Sequence, residues 1–153
     1  MHPLLVALAI CIAAVFLEVA AAGSNPKASL KSLRQPQWAP PTWLWLLVGV
    51  AYYGACLFSL YLVLLHDPSL ESRSRALEFL VGVMLYNALW NIVLFRFRAL
   101  ALSFWLFVPY SLLVLITLYF LYKVDGEAAA PFIPYLLYLP YACAWMYSTW
   151  KLN

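Results

Sequence analysis

The stretch Trp43–Leu65 (WLWLLVGVAYYGACLFSLYLVLL) decides the fold class of this chain. It contains no Asp, Glu, Lys or Arg, and it is preceded by Pro40 and Pro41 and followed by His66. A bilayer core about 30 Å thick requires about 20 apolar residues in a helix, so the stretch is long enough to cross a membrane. It therefore predicts a transmembrane helix.

Four further stretches are predominantly apolar and also long enough to cross a membrane: Leu4–Ala22, Leu77–Phe95, Leu100–Tyr122 and Pro131–Trp150. Backbone polar groups in lipid must be bonded internally, and these lengths suit helices rather than tilted barrel strands. The first stretch is long for a signal peptide and has no Lys or Arg before it, so we interpret it as a transmembrane helix. We predict an all-α integral membrane protein, a five-transmembrane-helix bundle in one domain over residues 1–153, with a long loop at 23–42.

The composition agrees with a membrane protein and excludes other classes. Hydrophobic residues make up 67% of the 153 residues, charged residues make up 10%, and the mean hydropathy is +0.87. A typical soluble domain has about 45–50% apolar and about 25% charged residues. The chain has only 9 Lys and Arg residues and a net charge of +3, and its basic residues form no stripe of the kind that binds a phosphate backbone. The expected partner is the lipid bilayer, and no nucleic acid is expected.

The residues that usually carry chemistry are few and scattered. Cys11, Cys56 and Cys143 lie in apolar stretches without the spacing of a metal site, so we expect small buried residues. His2 and His66 lie at chain or helix ends, which argues against a histidine-ligated haem. No nucleophile elbow, phosphate loop or His/Glu metal motif occurs in the sequence. We therefore expect that the protein is not an enzyme, that it requires no cofactor and that it has no metal site.

The basic residues predict the orientation in the membrane. With five spans, one side carries six of the 9 basic residues: Lys27, Lys31, Arg34, Arg96, Arg98 and Lys151. The opposite side carries Arg73, Arg75 and Lys123 together with most of the acidic residues. The positive-inside rule then places the first loop and the C-terminus on the cytoplasm-like side. We expect a multi-pass protein of a bacterial inner membrane or of a mitochondrial or plastid membrane.

Polar residues inside the spans are candidates for a site or for helix packing. Glu18 is a carboxylate within the first span, where a charge costs about 2.5–3.5 kcal/mol. It lies about one turn from the helix end, so we favour an interpretation in which it reaches the head groups over a proton-coupled site. Asn87, Trp90 and Asn91 share one face of the third span. Contacts between helices and the lining of a pocket remain equal alternatives for them.

The aromatic content also leaves two alternatives open. The sequence has 7 Trp, 11 Tyr and 9 Phe, and many of them fall in the middle of a span. Flat rings can sandwich a flat apolar ligand, and they can equally pack on each other or on a partner subunit. Pro109 and Pro140 are expected to kink the fourth and fifth spans, which favours space between the helices.

Five motifs carry a resemblance to a known family. In chain order they are Ser32–Pro36 (SLRQP), Trp38–Trp43 (WAPPTW), Asn87–Phe95 (NALWNIVLF), Pro134–Tyr138 (PYLLY) and Trp150–Asn153 (WKLN). Their order and spacing resemble the TspO/MBR family, the translocator or tryptophan-rich sensory proteins, over nearly the whole chain.

The resemblance implies a five-helix bundle, often a homodimer, with a pocket beneath the first loop. In the family this pocket takes porphyrins or lipids such as cholesterol, so the implied ligand is a tetrapyrrole or a lipid. Carried over position by position, the ligand-binding candidates are Trp38, Pro40, Pro41, Tyr53, Asn87, Trp90, Tyr138 and Ala142. The implied function is a binding protein that senses or carries a porphyrin or another flat lipophilic ligand.

The chain departs from the family pattern within the expected pocket. Gly49 stands where the family has a pocket Trp, Val83 where it has Gln, and Tyr138 where it has Trp. Trp145 and Met146 replace a Leu-Asn pair. A second hypothesis therefore stays open, a structural accessory subunit of a larger membrane complex with a degenerate pocket. An enzyme acting on tetrapyrroles, including light-driven porphyrin breakdown, has the least support because no acid–base set is present.

Overall fold

Every regular element in the described part of the chain is a helix, which confirms the all-α prediction. The computed structural model describes residues 2–153, except for the side chain of Lys27. The helices are α1 Pro3–Ala22, α2 Pro26–Lys31, α3 Thr42–Leu65, α4 Glu71–Asn91, α5 Leu100–Trp105, α6 Phe107–Val124, α7 Gly126–Ala129 and α8 Phe132–Leu152. A π-helical turn, Ile92–Arg96, continues α4.

Four helical segments are long and apolar enough to cross a membrane: Pro3–Ala22, Thr42–Leu65, Glu71–Arg96 and Leu100–Val124. Each of them contains most of a predicted span. The helix α8 has 21 residues but is not among these four segments. The structure thus supports a multi-pass membrane protein, and the count of five spans stays a prediction.

The first helical turns of α4 were missed by the sequence prediction. The helix begins at Glu71, not at Leu77. Arg75 lies 3.8 Å from Glu71 and 3.1 Å from Glu78, at helical spacings of four and three residues. Such pairs support an exposed helix start that a count of apolar residues does not detect.

The predicted span 100–122 is broken at Leu106 into α5 and α6. Pro109 has no N–H to donate to the carbonyl of Trp105, so the helix is interrupted one turn before the proline. Pro140, in contrast, lies inside the continuous helix α8.

The core lies around α4, which packs against α1, α3 and α6. Its largest fully buried side chains include Leu60, Leu80, Met84, Leu121 and Phe132. Cys11 and Cys56 are buried in this core as predicted, while Cys143 is partly buried. A second buried cluster lies nearer the first loop and is formed by Leu94, Phe107, Ala142, Trp145 and Met146.

The short helix α7 ties the end of α3 to the beginning of α8. The hydroxyl of Ser59 donates a hydrogen bond of 2.7 Å to the carbonyl of Ala128. The Asp125 carboxylate accepts a bond of 2.8 Å from the N–H of Glu127 and lies 3.3 Å from Nε2 of His66. Asp125 therefore caps α7 and links it to α3.

Two substitutions of Asp125 are expected to separate its role as a helix cap from the effect of its negative charge on stability. Asp125→Ala should lower the free energy of unfolding by about 1 kcal/mol because the cap is lost. Asp125→Asn is the matched control, since Asn caps equally well and removes only the charge. The N–H of Glu127, and then His66, hold the pKa of Asp125 below its ordinary value of 3.8.

A carboxyl group with a lowered pKa stabilises the folded protein above its ordinary pKa, and this contribution is lost as the pH falls through the lowered pKa. The difference in the free energy of unfolding between the wild type and Asp125→Asn should therefore shrink as the pH is lowered from about 7 to about 2. Thermal unfolding in a neutral detergent measures it. An equal difference at both pH values would contradict this role.

Candidate ligand-binding cavity

A cavity of about 210 Å³ lies between α1, α3, α4, α6 and α8, with Leu30 of α2 at its edge. Half of its lining is aromatic: Trp45, Tyr52, Trp90, Phe95, Phe107, Tyr110, Tyr135, Tyr138 and Trp145. The polar lining residues are Glu18, Asn87 and Asn91, and the small or aliphatic ones are Leu30, Val48, Gly49, Leu94, Leu139 and Ala142. A mostly apolar cavity with a few polar groups is typical of a small-molecule site.

The aromatic walls are held by their contacts with one another. The rings of Trp45 and Trp145 lie 4.6 Å apart between centroids. The hydroxyls of Tyr110 and Tyr135 are 2.6 Å apart, which joins α6 to α8. Trp90 donates from Nε1 to the carbonyl of Ser103 at 2.9 Å. Rings fixed in this way keep the cavity open as a preformed space.

The polar wall is a hydrogen-bonded group that joins three helices. Tyr53 of α3 donates to one oxygen of the Glu18 carboxylate at 2.5 Å. Asn91 of α4 donates to the other oxygen at 3.1 Å. Glu18 therefore faces the bundle interior, and the prediction that it reaches the head groups was wrong. Its position along α1 did not show which side of the helix faces the neighbouring helices.

The π-helical turn brings two residues to the cavity that a straight helix would place differently. Leu94 and Phe95 lie within it and line the cavity. The next residue, Arg96, donates to the carbonyls of Ala20 at 2.6 Å and Ala21 at 3.0 Å. The turn thus also closes the end of α1, because a basic side chain bonds its last carbonyls.

The loop between α1 and α3 is fastened to α8 at three points. Asn153 accepts from the N–H of Arg34 at 2.9 Å and donates to its carbonyl at 3.0 Å. Trp145 donates from Nε1 to Oε1 of Gln35 at 2.8 Å. Tyr141 donates to the carbonyl of Trp38 at 3.3 Å. We call the segment 23–41 the lid, because its helix α2 supplies Leu30 to the cavity.

Asn153→Ala is expected to loosen the lid. The substitution removes two hydrogen bonds to Arg34, each contributing about 1 kcal/mol. The amide hydrogen of Arg34 should then exchange about five to thirty times faster, as measured by hydrogen–deuterium exchange. Leu152→Ala, an exposed neighbour, is the control and should leave exchange in the lid unchanged. Equal exchange in all three proteins would show that Asn153 does not hold the lid.

Four of the eight predicted ligand-binding residues line the cavity: Asn87, Trp90, Tyr138 and Ala142. Tyr53 lies outside the lining and holds the lining residue Glu18. Three others lie in the lid and outside the lining: Trp38, Pro40 and Pro41. The ring of Trp38 packs edge-on against Tyr141, 5.6 Å between centroids, and remains 47% exposed.

The positions that depart from the family pattern have different roles. Gly49 lines the cavity, and a Cβ added to it would meet no atom within 4 Å outside its own stretch of α3. Val83 and Met146 are fully buried and lie outside the lining. Trp145 both lines the cavity and holds the lid through Gln35.

Sequence reasoning missed several lining residues on α3, α6 and α8. Tyr52, Tyr110 and Tyr135 belong to the wall, although only their aromatic character was noticeable in the sequence. The alternatives for the polar face of α4 are both realised, since Asn91 bonds to α1 and also lines the cavity. Spacing identified that face, but not the helix opposite it.

Comparisons with known proteins identify a family and two relatives of this chain. A profile of the TspO/MBR family matches residues 6–151. The tryptophan-rich sensory protein of Cereibacter sphaeroides is 27% identical over 144 residues, which cover 90% of this chain and 89% of that protein. Protein CrtK of Rhodobacter capsulatus is 28% identical over 148 residues, 92% of this chain and 91% of CrtK. Neither relative is named as an enzyme, in agreement with the sequence prediction. The chain belongs to the TspO/MBR family of membrane proteins.

Proposed function

We propose that this protein binds a flat lipophilic ligand, such as a porphyrin, in the cavity beneath the lid, and that it senses or carries this ligand in the membrane. The observation that supports the proposal most is the lining of the cavity, in which nine of the eighteen residues are aromatic. Aromatic rings bind flat apolar molecules by stacking and edge contacts. Three polar residues at the same wall can orient the bound molecule.

The size of the cavity in this structure limits the ligand that it holds without rearrangement. Its volume is about 210 Å³. An apolar cavity of about 150 Å³ holds benzene, and sites for drug-sized ligands have about 300–1,000 Å³. The cavity as it stands therefore suits a molecule of about two fused rings. A whole tetrapyrrole is larger, so its binding requires movement of the lid or of the Trp45–Trp145 pair.

A titration with protoporphyrin IX tests the proposal. Quenching of tryptophan fluorescence in a neutral detergent should be saturable, and Asn87→Leu should weaken binding about tenfold because a polar contact in the cavity is lost. Leu89→Ala, on the exposed side of α4, is the control and should bind like the wild type. Non-saturating quenching that is equal in all three proteins would contradict porphyrin binding in this cavity.

We also propose that α8 is the fifth span. Its first turns follow α7, which is bonded to the end of α3 through Ser59. At the other end of α8, the side chain of the capping residue Asn153 is hydrogen-bonded to Arg34 in the lid, which precedes α3. The helix runs antiparallel to α3 across the cavity, with Trp145 near Trp45 and Tyr135 near Tyr52, which supports a first loop and a C-terminus on the same side of the membrane.

The accessory-subunit hypothesis differs from the ligand-binding proposal in two expectations, namely whether a ligand occupies the cavity and how large the native particle is. A preformed cavity with a polar wall favours ligand binding over a degenerate pocket. We expect a monomer or homodimer in mild detergent. A large stable assembly, together with a cavity that does not respond to ligands, would favour the accessory subunit instead.

A further inference from the structure

Trp145 belongs to the wall of the cavity and is hydrogen-bonded to the lid. We propose that Trp145 determines the size of ligand that the cavity admits, and that its bond to Gln35 breaks when a ligand larger than about two fused rings binds. The inference rests on the proposed function, because it concerns the same cavity. The family pattern has Leu at position 145, so the resemblance does not imply this role.

The indole of Trp145 contacts the cavity on one side and the lid on another. Its ring lines the cavity together with that of Trp45, 4.6 Å away between centroids. Its Nε1 donates to Oε1 of Gln35 at 2.8 Å, and Gln35 is not among the lining residues. The amide nitrogen of Gln35 donates to the carbonyl of Leu30, a lining residue of α2, at 3.2 Å. One side chain of the lid thus binds both the cavity wall and the lid helix.

The ring of Trp145 is too buried to move by itself. It belongs to the second buried cluster, which also contains residues of the π-helical turn and of α6. Protein interiors are closely packed and leave no free space for a displaced ring. The ring can therefore withdraw from the cavity only when the lid moves with it, and this movement separates Trp145 from Gln35.

The other hydrogen-bonded aromatic residues of the wall connect one helix to another. The hydroxyls of Tyr110 and Tyr135 join α6 to α8, and Trp90 of α4 donates to a backbone carbonyl of α5. Trp145 is bonded to a loop residue instead. Loops open at a lower free-energy cost than packed helices do. Displacement of Trp145 is therefore the least costly way to enlarge the cavity among these residues.

This arrangement discriminates between ligands by size. The cavity of about 210 Å³ is smaller than the sites of about 300–1,000 Å³ that hold drug-sized ligands. A ligand of about two fused rings binds with Trp145 in place. A larger ligand displaces the bicyclic indole, so the free energy of the bond to Gln35 is subtracted from the affinity for the larger ligand alone.

Two lid variants test the role of this bond. Gln35→Ala removes the partner of Trp145 and leaves the ring in the wall, and Gln37→Ala is the matched control, an exposed glutamine of the same lid. The probes are protoporphyrin IX and 2-naphthylmethanol, a neutral two-ring molecule, titrated in a neutral detergent. Gln35→Ala should bind protoporphyrin IX about fivefold more tightly than the wild type, because one hydrogen bond no longer has to break. The affinity for 2-naphthylmethanol should be the same in all three proteins.

A double-mutant cycle shows whether the effect depends on Trp145. Trp145→Phe keeps an aromatic ring and removes the N–H donor. When Trp145→Phe is already present, Gln35→Ala should therefore leave the affinity for protoporphyrin IX unchanged. A general loosening of the lid would instead raise that affinity equally with and without Trp145→Phe.

The outcomes separate this inference from the proposed function. Equal binding of protoporphyrin IX by the wild type and Gln35→Ala would overturn the inference and leave the proposed function standing. The same holds if Gln35→Ala has an equal effect with and without Trp145→Phe, or if it strengthens the binding of 2-naphthylmethanol as much as that of protoporphyrin IX. If protoporphyrin IX binds to neither the wild type nor Gln35→Ala, porphyrin binding itself fails, and this inference fails with it.

Discussion

Gly49→Leu is expected to abolish binding of flat ligands, whereas Gly54→Leu on the same helix should leave binding unchanged. Gly49 lines the cavity, and the space beside its Cα is open. A leucine there occupies part of a cavity of only about 210 Å³. A ligand cannot share that volume without overpacking, so we expect the dissociation constant to rise more than about a hundredfold.

Gly54 is a close control for this substitution. It also lies within α3, it is exposed, and a Cβ added to it would meet no atom within 4 Å outside its own stretch of helix. Replacing either glycine by leucine should increase helix stability by up to about 1 kcal/mol, so neither variant should fail to fold. The affinities for 2-naphthylmethanol and protoporphyrin IX provide the measurement. Unchanged binding by Gly49→Leu would place the ligand outside this cavity.

Trp145→Ala is expected to cause a large loss of stability. Trp145 is only 3% exposed, and its ring packs against Trp45. Truncating a buried Trp costs about 3–5 kcal/mol in soluble proteins. Lipid is as apolar as the protein interior, so packing accounts for most of the loss here and we expect about 3 kcal/mol. The lid also loses its hydrogen bond to Gln35.

Two variants separate these effects. Trp43→Ala removes a ring that is 65% exposed, so we expect a change within about 0.5 kcal/mol. Trp145→Phe keeps an aromatic ring and removes the N–H, so it should release the lid with a smaller loss of stability. Unfolding in a denaturing detergent measures the stability, and hydrogen exchange measures the lid. Similar losses for Trp145→Ala and Trp43→Ala would show that Trp145 is not a packing residue.

The apolar stretches predicted the helical class because each contains enough residues to cross the bilayer without unsatisfied backbone groups. The same reasoning missed helical segments that lie outside the apolar stretches long enough to cross the bilayer. The charged start of α4 at Glu71 and the short lid helix Pro26–Lys31 are examples. Pro109 was recognised as a disruption, but its effect falls one turn earlier, at Leu106. A proline acts on the carbonyl four residues before it, so the break is displaced from the residue that causes it.

The candidate site was less predictable than the fold because a lining depends on helix rotation and on the opposite helix. Asn87 and Trp90 were recognised from their spacing, and they do line the cavity. Glu18 was assigned to the head groups because it lies about one turn from the end of the first span, and its partners, Tyr53 and Asn91, are too remote in sequence to have been recognised. The resemblance also carried over Trp38, which lies in the lid and packs on Tyr141. A motif therefore locates a region of the fold more reliably than it locates a contact.

The most direct test of ligand binding beneath the lid is to locate a bound probe in a crystal of the protein. A brominated derivative, 6-bromo-2-naphthylmethanol, gives an anomalous signal at the bromine position. We predict one strong peak in the cavity, between Trp45 and Asn87 in the wild type, that disappears in Gly49→Leu and persists in Gly54→Leu. A signal found only on the lipid-facing surface of the helices, and unchanged in Gly49→Leu, would contradict the account.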